Sequence, residues 1–310
     1  MSEIKDYFST KYIILHFALV FPEDTVLPAN KVSALRGGMG EMLLRMNCIA
    51  DRNCPKCEFE DECIVRHTMY SKMKINPPFM SEGDSVGYVL ECEDHKEEFH
   101  EGEELKFNLV LFGNAIVYFS QFLQAFRLLG MNGIGKNHSK FIIKSVSNTL
   151  NEELLVKGHV FMKNLKLLTL WDYIEYRLPK VSDNVRILFH TPLTLKYHGE
   201  IQKSFDMEAI LSAVERRIYI LNCFNGFDCG RMKIENIPMK VYEEITNRSV
   251  QRFSSTQEKK INLRGFTGFV DVNEIDELAK VLLIAGELVH IGKNGSFGFG
   301  KYTIVDPMLG

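Results

Sequence analysis

The residues best suited to hold a phosphate group lie near the end of this 310-residue chain, in a glycine-rich stretch at residues 286–301. Four glycines fall within the nine residues 292–300, and two lysines, Lys293 and Lys301, accompany them. Glycine lets backbone N–H groups approach a ligand closely, lysine supplies positive charge, and Phe297 and Phe299 offer faces on which a base can stack. The stretch is therefore a candidate site for the phosphate backbone of a nucleic acid.

The same stretch also has a purely structural interpretation. Gly-Phe-Gly occurs at simple turns, and Phe297 or Phe299 can close the end of a core. It is not the dinucleotide-binding fingerprint, in which the glycines follow a strand and precede a helix. Apolar spacing here predicts a helix before the glycines and a strand after them, which is the reverse order.

A second Gly-x-Gly-Lys, at residues 133–136, occupies the same place in an earlier copy of the same element order. The predicted strands are Lys11–Phe21, Ser85–Cys92, Glu104–Phe112, Phe141–Val146, Val185–Tyr197, Lys240–Phe253, Lys260–Val272 and Lys301–Val305, and the predicted helices are Asn30–Met46, Asn114–Leu129, Phe205–Phe224 and Asn273–Leu288. This order is β-α-β-β-α-β twice, so we predict an α+β fold of two tandem ferredoxin-like domains. They cover residues 1–150 and 183–310, and residues 151–182 form a connecting hairpin and linker.

Four of the seven cysteines cluster at residues 48–63, namely Cys48, Cys54, Cys57 and Cys63. In a chain without a recognisable export signal, clustered thiols hold a metal more often than they form disulfides. The spacing is compatible with a tetrahedral four-sulfur site, for which structural zinc is the expected ion. An iron–sulfur cluster and unligated cysteines are the alternatives.

The composition is that of a soluble globular protein, with 45% hydrophobic and 25% charged residues. No apolar run is long enough to cross a bilayer, and we expect the protein in the cytoplasm. The net charge of −3 does not exclude a nucleic-acid partner, because residues 91–104 carry eight acidic side chains against one lysine. We expect this acidic stretch to be a solvated hairpin or loop, and we assign it no function.

Several ordered motifs give the chain a more specific resemblance. They are Leu35-Arg36-Gly37-Gly38 with the cysteine cluster, Phe189-His190-Thr191-Pro192-Leu193-Thr194-Leu195-Lys196, Glu215-Arg216-Arg217, Leu263-Arg264-Gly265-Phe266-Thr267-Gly268, and His290-Ile291-Gly292-Lys293 leading into Phe297-Gly298-Phe299-Gly300-Lys301-Tyr302. Over nearly its whole length the chain resembles the RAMP proteins of CRISPR systems. More narrowly, it resembles the endoribonucleases that cut precursor CRISPR RNA within its repeats.

The resemblance implies a metal-independent cut, in which a 2′-hydroxyl attacks the adjacent phosphate and leaves a 2′,3′-cyclic phosphate and a 5′-hydroxyl. It implies CRISPR repeat RNA as the partner, with other CRISPR interference proteins as further partners. The RNA contacts expected on the matching positions are Gly133, Gly135, Lys136, Lys140, Arg264, Gly292, Ser296, Phe297, Gly298, Gly300 and Lys301. The alternative function is a RAMP subunit that binds CRISPR RNA in an interference complex without cutting it.

Such chemistry needs a base, a cation and an acid, which histidine and lysine can supply. Many family members carry a catalytic histidine on the first helix of the N-terminal unit, but Asn30–Met46 contains none. His290 is our first candidate, with Lys293 three residues later, although a histidine ending a helix can simply complement the helix dipole. His67, which can also be a zinc ligand, and a site built around Arg36 are the other candidates. We expect His190 and His198 to be structural.

Overall fold

The computed structural model describes residues 2–80, 86–234, 240–254 and 259–307. In chain order the helices and strands are α1 (Ser2–Tyr7), β1 (Lys11–Val20), β2 (Thr25–Val26), α2 (Lys31–Asn47), α3 (Ile64–Met69), β3 (Tyr88–Glu91), β4 (Glu98–Phe99), β5 (Glu104–Phe112), α4 (Phe119–Asn132), β6 (Ile142–Ser147), β7 (Glu153–Val156), β8 (His159–Val160), β9 (Leu168–Thr169), α5 (Leu170–Arg177), β10 (Val185–Leu193), β11 (Lys196–Tyr197), β12 (Glu200–Ile201), α6 (Met207–Asn225), β13 (Lys240–Ser254), β14 (Lys259–Asn273), α7 (Glu277–Val289) and β15 (Tyr302–Val305). Ser85, the predicted start of the second strand, lies outside the described residues.

Two antiparallel sheets organise the chain, and both have the same strand order. The first sheet runs β3-β5-β1-β6 and continues into β7 and β8, while the second runs β13-β14-β10-β15. In each unit the first strand lies in the middle, between the third and fourth strands of its β-α-β-β-α-β repeat. The predicted α+β class and the tandem ferredoxin-like fold are confirmed. The domain boundaries at residues 150 and 183 stay a prediction.

The central strand β1 has two different faces because its side chains alternate. Leu15, Phe17 and Leu19 are fully or almost fully buried in the core that α2 and α4 cover. His16 and Ala18 point to the opposite face and are half-buried. The first sheet therefore has one face covered by helices and another that is partly open.

Two glycines of α2 are explained by close packing. A Cβ on Gly38 would lie 2.4 Å from Leu129 Cδ1 of α4, and a Cβ on Gly40 would lie 2.8 Å from Met69 Cε of α3. An alanine at position 38 would therefore force Leu129 to move, whereas an alanine at position 40 would meet only the flexible end of Met69. A Cβ on Gly37 would meet nothing within 4 Å, so packing does not explain that glycine.

The second unit packs its helices against its own sheet and against the first unit. Tyr12, Val110 and Phe112 of the first sheet lie in the same core cluster as the buried residues of α6 and α7. Buried polar groups also connect the units: Tyr7 Oη donates to Glu215 Oε1 at 2.8 Å, and both side chains are buried. The two repeats thus share an apolar cluster that fixes their relative position, while the first unit keeps a second cluster of its own.

Arg217, from the Glu-Arg-Arg motif, is a structural connection between the units. Its Nη2 donates to Val86 O at 2.8 Å, and its Nε donates to Val289 O at 3.2 Å, at the end of α7. The segment that leads into β3 and the last residue of α7 are therefore held by one side chain.

The segment predicted as a hairpin and linker contains the β7–β8 hairpin, but it also forms β9 and the helix α5, which the prediction did not include. Thr169 and Asp172 form a capping box at the start of α5. Arg177, at its end, makes a bidentate contact with the buried carboxylate of Glu287 on α7, at 2.9 and 2.8 Å. Helix α5 is thus packed against the second unit.

Helix α7 begins at Glu277 rather than at the predicted Asn273, because Asn273 is the last residue of β14. The Asp276 side chain accepts the amide of Ala279 at 2.7 Å and so caps the helix. Among the described residues, no helix is both long enough and apolar enough to cross a membrane.

Candidate nucleic-acid interface

The glycine-rich stretch packs tightly against the protein itself. A Cβ on Gly298 would lie 2.6 Å from Leu90 O of β3, and a Cβ on Gly300 would lie 1.8 Å from Ile291 O. Both glycines also have positive φ angles, 75° and 70°. Close contacts within the chain are therefore enough to require glycine at these two positions.

His290 lies at the end of α7 and its side chain is fully buried. Its Nδ1 lies 3.1 Å from Phe299 O, and its Nε2 lies 2.8 Å from Glu91 Oε1. A carbonyl oxygen and a carboxylate oxygen both accept, so the imidazolium form satisfies both contacts. With both ring nitrogens engaged, His290 holds the stretch in place rather than presenting a nitrogen to a ligand.

Glu91 is the counter-charge of this buried histidine. Burial by itself raises the pKa of the Glu91 carboxyl, but the hydrogen bond and charge of His290 and the charge of Lys301 outweigh it, so the pKa falls to about 2. Glu91 is the last residue of β3 and its side chain is only 10% exposed. The expectation that the acidic stretch is wholly solvated is therefore wrong for Glu91.

Lys301 is held by the same acidic stretch. Its Nζ lies 2.6 Å from Glu93 Oε1 and 3.5 Å from Glu91 Oε2, and its side chain is only 14% exposed. Burial lowers the pKa of Lys301, but the two carboxylates outweigh this effect and raise it. The carboxylates of Glu91 and Glu93 therefore bind the Lys301 ammonium group, which was predicted to contact an RNA phosphate.

The two aromatic rings of the stretch also have partners within the protein. The guanidinium carbon of Arg36, on α2, lies 4.0 Å from the centroid of the Phe297 ring. Phe299 is buried, at 3% exposure. These positions fit the structural interpretation of the phenylalanines, and they bring Arg36 of the first unit onto the glycine-rich stretch of the second.

Lys293 and Arg264 remain as cations that face solvent beside this stretch. The Lys293 amide donates to Thr194 O at 3.0 Å, and the Thr194 hydroxyl donates to Arg264 O. Both cationic side chains are exposed, and neither forms an ion pair within the described part of the chain. Gly292 beside them is exposed with φ 78°, whereas Ser296 is buried. Thr194 thus brings together two residues that the sequence analysis placed on RNA.

The first unit's Gly-x-Gly-Lys loop is more open. Gly133 ends α4 with φ 90°, and a Cβ there would lie 2.0 Å from His138 O. A Cβ on Gly135, which has φ 74°, would meet only the Pro28 ring within 4 Å. Lys136 and Lys140 are exposed. Both lysines are therefore accessible to a ligand.

His67 lies in the cysteine segment, on α3. Its Nε2 lies 2.9 Å from Asp61 O, and its ring stacks on Tyr118 with the centroids 5.8 Å apart. One ring nitrogen is thus committed to a backbone carbonyl, which is a structural contact.

The four clustered cysteines are half-buried. Cys54 and Cys57 lie at the two ends of one turn, with the Cys57 amide bonded to Cys54 O at 3.1 Å, while Cys48 Sγ accepts the amide of Arg52 at 3.2 Å. Over the described residues, no three His, Cys, Asp or Glu side chains come close enough to hold one ion. The cysteines as placed do not form the predicted four-sulfur site, and the metal stays a prediction.

Sequence reasoning missed two acidic residues of this site, Glu91 and Glu93, because a run of acids is usually solvated.

Comparisons with known proteins agree with this architecture. The family model AF_1859_N, described as an N-terminal domain, matches residues 10–168, and the model described as CRISPR-associated endoribonuclease Cas6 matches residues 187–302. An uncharacterized protein of Archaeoglobus fulgidus is 24% identical, over 96% of this chain and 99% of its own.

Solved structures show the same fold. A Cas6 product complex, of a protein from Thermus thermophilus, matches with a TM-score of 0.52 at 12% identity, over 95% of this chain and 100% of the other. A partial Cas6-RT-Cas1–Cas2 complex matches with a TM-score of 0.57 at 12% identity, over 96% of this chain. The present chain spans 46% of that longer chain.

The fold and these matches place the chain in the tandem ferredoxin-like class, which includes the CRISPR RNA endoribonucleases. The resemblance inferred from the motifs is therefore confirmed. The chain belongs to the family with the AF_1859_N N-terminal domain, here followed by a Cas6 domain.

Proposed function

We propose that this protein is an endoribonuclease that cuts CRISPR repeat RNA to give mature guide RNA. The observation that carries the proposal is a pair of exposed cations in the Cas6 domain, Lys293 and Arg264, whose main chains are both hydrogen-bonded to Thr194. Charge-assisted contacts to phosphate are the main source of affinity in such interfaces. The Lys136 and Lys140 loop supplies a second accessible cationic site in the first unit.

The proposed reaction is metal-independent. The 2′-hydroxyl of one nucleotide attacks the adjacent phosphate, the bond to the 5′-oxygen breaks, and the products carry a 2′,3′-cyclic phosphate and a 5′-hydroxyl. Lys293 stabilises the charge that grows on the phosphate, with Arg264 beside it. The proposed role of His290 is to hold the glycine-rich stretch through Glu91, since both its nitrogens are engaged.

A second function is favoured by that same burial of His290. A RAMP subunit that binds CRISPR RNA without cutting it, within a complex of CRISPR interference proteins, needs the exposed lysines but no accessible proton-transfer group. The engaged nitrogens of His290 and the single committed nitrogen of His67 fit such a role.

One assay separates the two functions. Purified protein is incubated with end-labelled CRISPR repeat RNA in EDTA, beside the same RNA carrying 2′-deoxyribose at the cleaved position. An endoribonuclease of the proposed kind cuts only the first RNA, leaves a cyclic phosphate, and binds both equally. A binding subunit retains both RNAs intact. Cleavage of the deoxy-substituted RNA would exclude the proposed mechanism.

A further inference from the structure

The face of the first sheet that α2 and α4 leave uncovered carries a histidine among small and polar side chains. His16 is half-buried on β1 and pairs across the sheet with Asn108 on β5 and Ser147 on β6. Ala18, the next residue on this face, pairs with Lys106. Ala18 and Ser147 are small, and an open ferredoxin-like sheet face is a surface that RNA-binding proteins use.

The hydrogen-bond partners of Asn108 fix which nitrogen of His16 carries a proton. Asn108 Nδ2 donates to Glu91 Oε2 at 2.9 Å, because a carboxylate only accepts. The oxygen of the same amide therefore faces His16 Nδ1, at 2.8 Å, and Nδ1 is the donor. The lone pair of a neutral His16 thus lies on Nε2, which has no hydrogen-bond partner among the residues that the structure describes.

These contacts connect His16 to the glycine-rich stretch. Asn108 bonds to Glu91, and Glu91 bonds to His290 at 2.8 Å. A histidine whose Nδ1–H is held by a fixed acceptor, leaving Nε2 available, is the arrangement that orients a general base. The orientation of His16 is thus coupled to the position of the stretch that carries Lys293.

Three acidic residues near this face are already compensated, whereas Glu153 of β7, which pairs with Ser147, is exposed and forms no ion pair within the described residues. Glu91 is paired with His290 and Lys301, Glu93 with Lys301, and Glu104 with Lys144. Lys106 is exposed and forms no ion pair within the described residues. A phosphate beside His16 would therefore meet Lys106 on the β5 side of the histidine, with the Glu153 carboxylate farther away beyond β6.

We propose that His16 is a catalytic residue of the RNA cleavage, with Asn108 as its positioning residue; this rests on the proposed function. His16 Nε2 takes the proton of the attacking 2′-hydroxyl while the oxygen forms its bond to phosphorus. The bond from phosphorus to the 5′-oxygen breaks, and that oxygen takes a proton from water. Lys106, which lies on the same face of the sheet as His16, adds its positive charge to that of Lys293 during the step.

Single-turnover cleavage of a 5′-labelled CRISPR repeat RNA by the full-length chain tests this role. We expect His16→Ala to slow cleavage by ~10² to 10⁴ with unchanged RNA affinity and melting temperature, because proton transfer matters only in the transition state. Added imidazole should restore part of the rate of His16→Ala. The acidic limb of the pH–rate profile, where the base is protonated, should be absent from the variant. His159→Ala, an exposed histidine on β8, is the matched control and should cleave like the wild type.

Asn108→Ala should lower the cleavage rate less than His16→Ala does, and imidazole should not restore it, because the histidine is still present but no longer oriented. If the wild type cuts and His16→Ala cuts equally fast, His16 has no catalytic role while the proposed function stands. A loss of RNA affinity in His16→Ala at an unchanged rate would make it a binding residue and overturn the proposal. If the wild type binds the repeat but never cuts it, the proposed function fails, and the role of His16 fails with it.

Discussion

Glu91 Oε1 lies 2.8 Å from His290 Nε2, and this contact joins the last residue of β3 to the residue that ends α7. Lys301 adds a second cation, 3.5 Å from the other carboxylate oxygen. The acidic segment of the first unit and the glycine-rich stretch of the second are therefore one electrostatic unit. His290 and Lys301 are therefore already paired with carboxylates. Lys293, three residues after His290, forms no such pair within the described residues and is the cation that we propose for RNA.

The first prediction concerns stability and pH. The pKa of Glu91 is lowered from 4.5 to about 2 in the folded protein, so its ionised form stabilises the fold above pH 4.5. That contribution, on the order of 3 kcal/mol, is lost as the pH falls towards 2. Glu91→Gln lacks the titrating group. We therefore expect the wild type to have the larger unfolding free energy above pH 4.5, and the difference between the two proteins to decrease as the pH falls from 4.5 towards 2.

Urea unfolding at a series of pH values measures the effect. Glu175→Gln is the control, because the Lys5–Glu175 pair is exposed and its loss should change the unfolding free energy only slightly. Equal pH dependence of the wild type and Glu91→Gln would show that this carboxylate does not carry the pH effect.

The second prediction concerns RNA binding. Lys293→Ala and Arg264→Ala should each weaken binding to CRISPR repeat RNA about equally for all sequences, and each should reduce the slope of affinity against salt by ~0.7 for a single strand. Lys136→Ala should act in the same direction if the first loop also contacts phosphate. Filter binding at several salt concentrations measures both quantities.

Lys163→Ala, a lysine of the β8–β9 connection, is the matched control and should bind like the wild type. Should Lys293→Ala and Arg264→Ala retain the full affinity and salt slope, RNA does not lie at this pair.

The repeated fold was predictable from the sequence because each unit has a strong local pattern. The long, apolar and β-prone run Lys11–Phe21 and the strand-like run Glu104–Phe112 predict strands, which are found at Lys11–Val20 and Glu104–Phe112. The start of α7 was less predictable. Asn273 continues β14 through its pairing with Lys240, a long-range contact that no local pattern contains.

The site was only partly predictable, for a similar reason. A lysine beside glycines suggests a phosphate contact, and this reasoning does not distinguish Lys293 from Lys301. What separates them is Glu93, which is distant in sequence yet lies 2.6 Å from Lys301 Nζ. The register of β3 on β5 places the acidic residues there, and composition alone does not reveal register.

The third prediction concerns the cysteines. Structural zinc should appear as about one ion per chain in elemental analysis of the purified protein. Cys54→Ser with Cys57→Ser should then remove the ion and lower the melting temperature, whereas Cys92→Ser should change neither. RNA cleavage should survive EDTA in every case. If the purified protein contains no metal and the double substitution leaves its melting temperature unchanged, these cysteines do not form a metal site.

The last prediction separates two roles of His290. His290→Ala leaves the Glu91 carboxylate buried with one cationic partner fewer, and breaking a buried pair in this way costs ~3–5 kcal/mol. We therefore expect the variant to lose stability and cleavage together, because the glycine-rich stretch is no longer held. The double variant, His290→Ala with Glu91→Gln, removes both charges and should recover most of the stability.

Cleavage by that double variant is the decisive measurement. If His290 only holds the stretch, the rate recovers along with the stability, and proton transfer belongs to another group. If His290 itself moves a proton, the double variant unfolds like the wild type yet stays ~10² to 10⁴ slower in single-turnover cleavage. The buried, doubly bonded imidazole favours the first outcome, since a ring with both nitrogens engaged reaches a substrate only after breaking its contact with Glu91 or with Phe299.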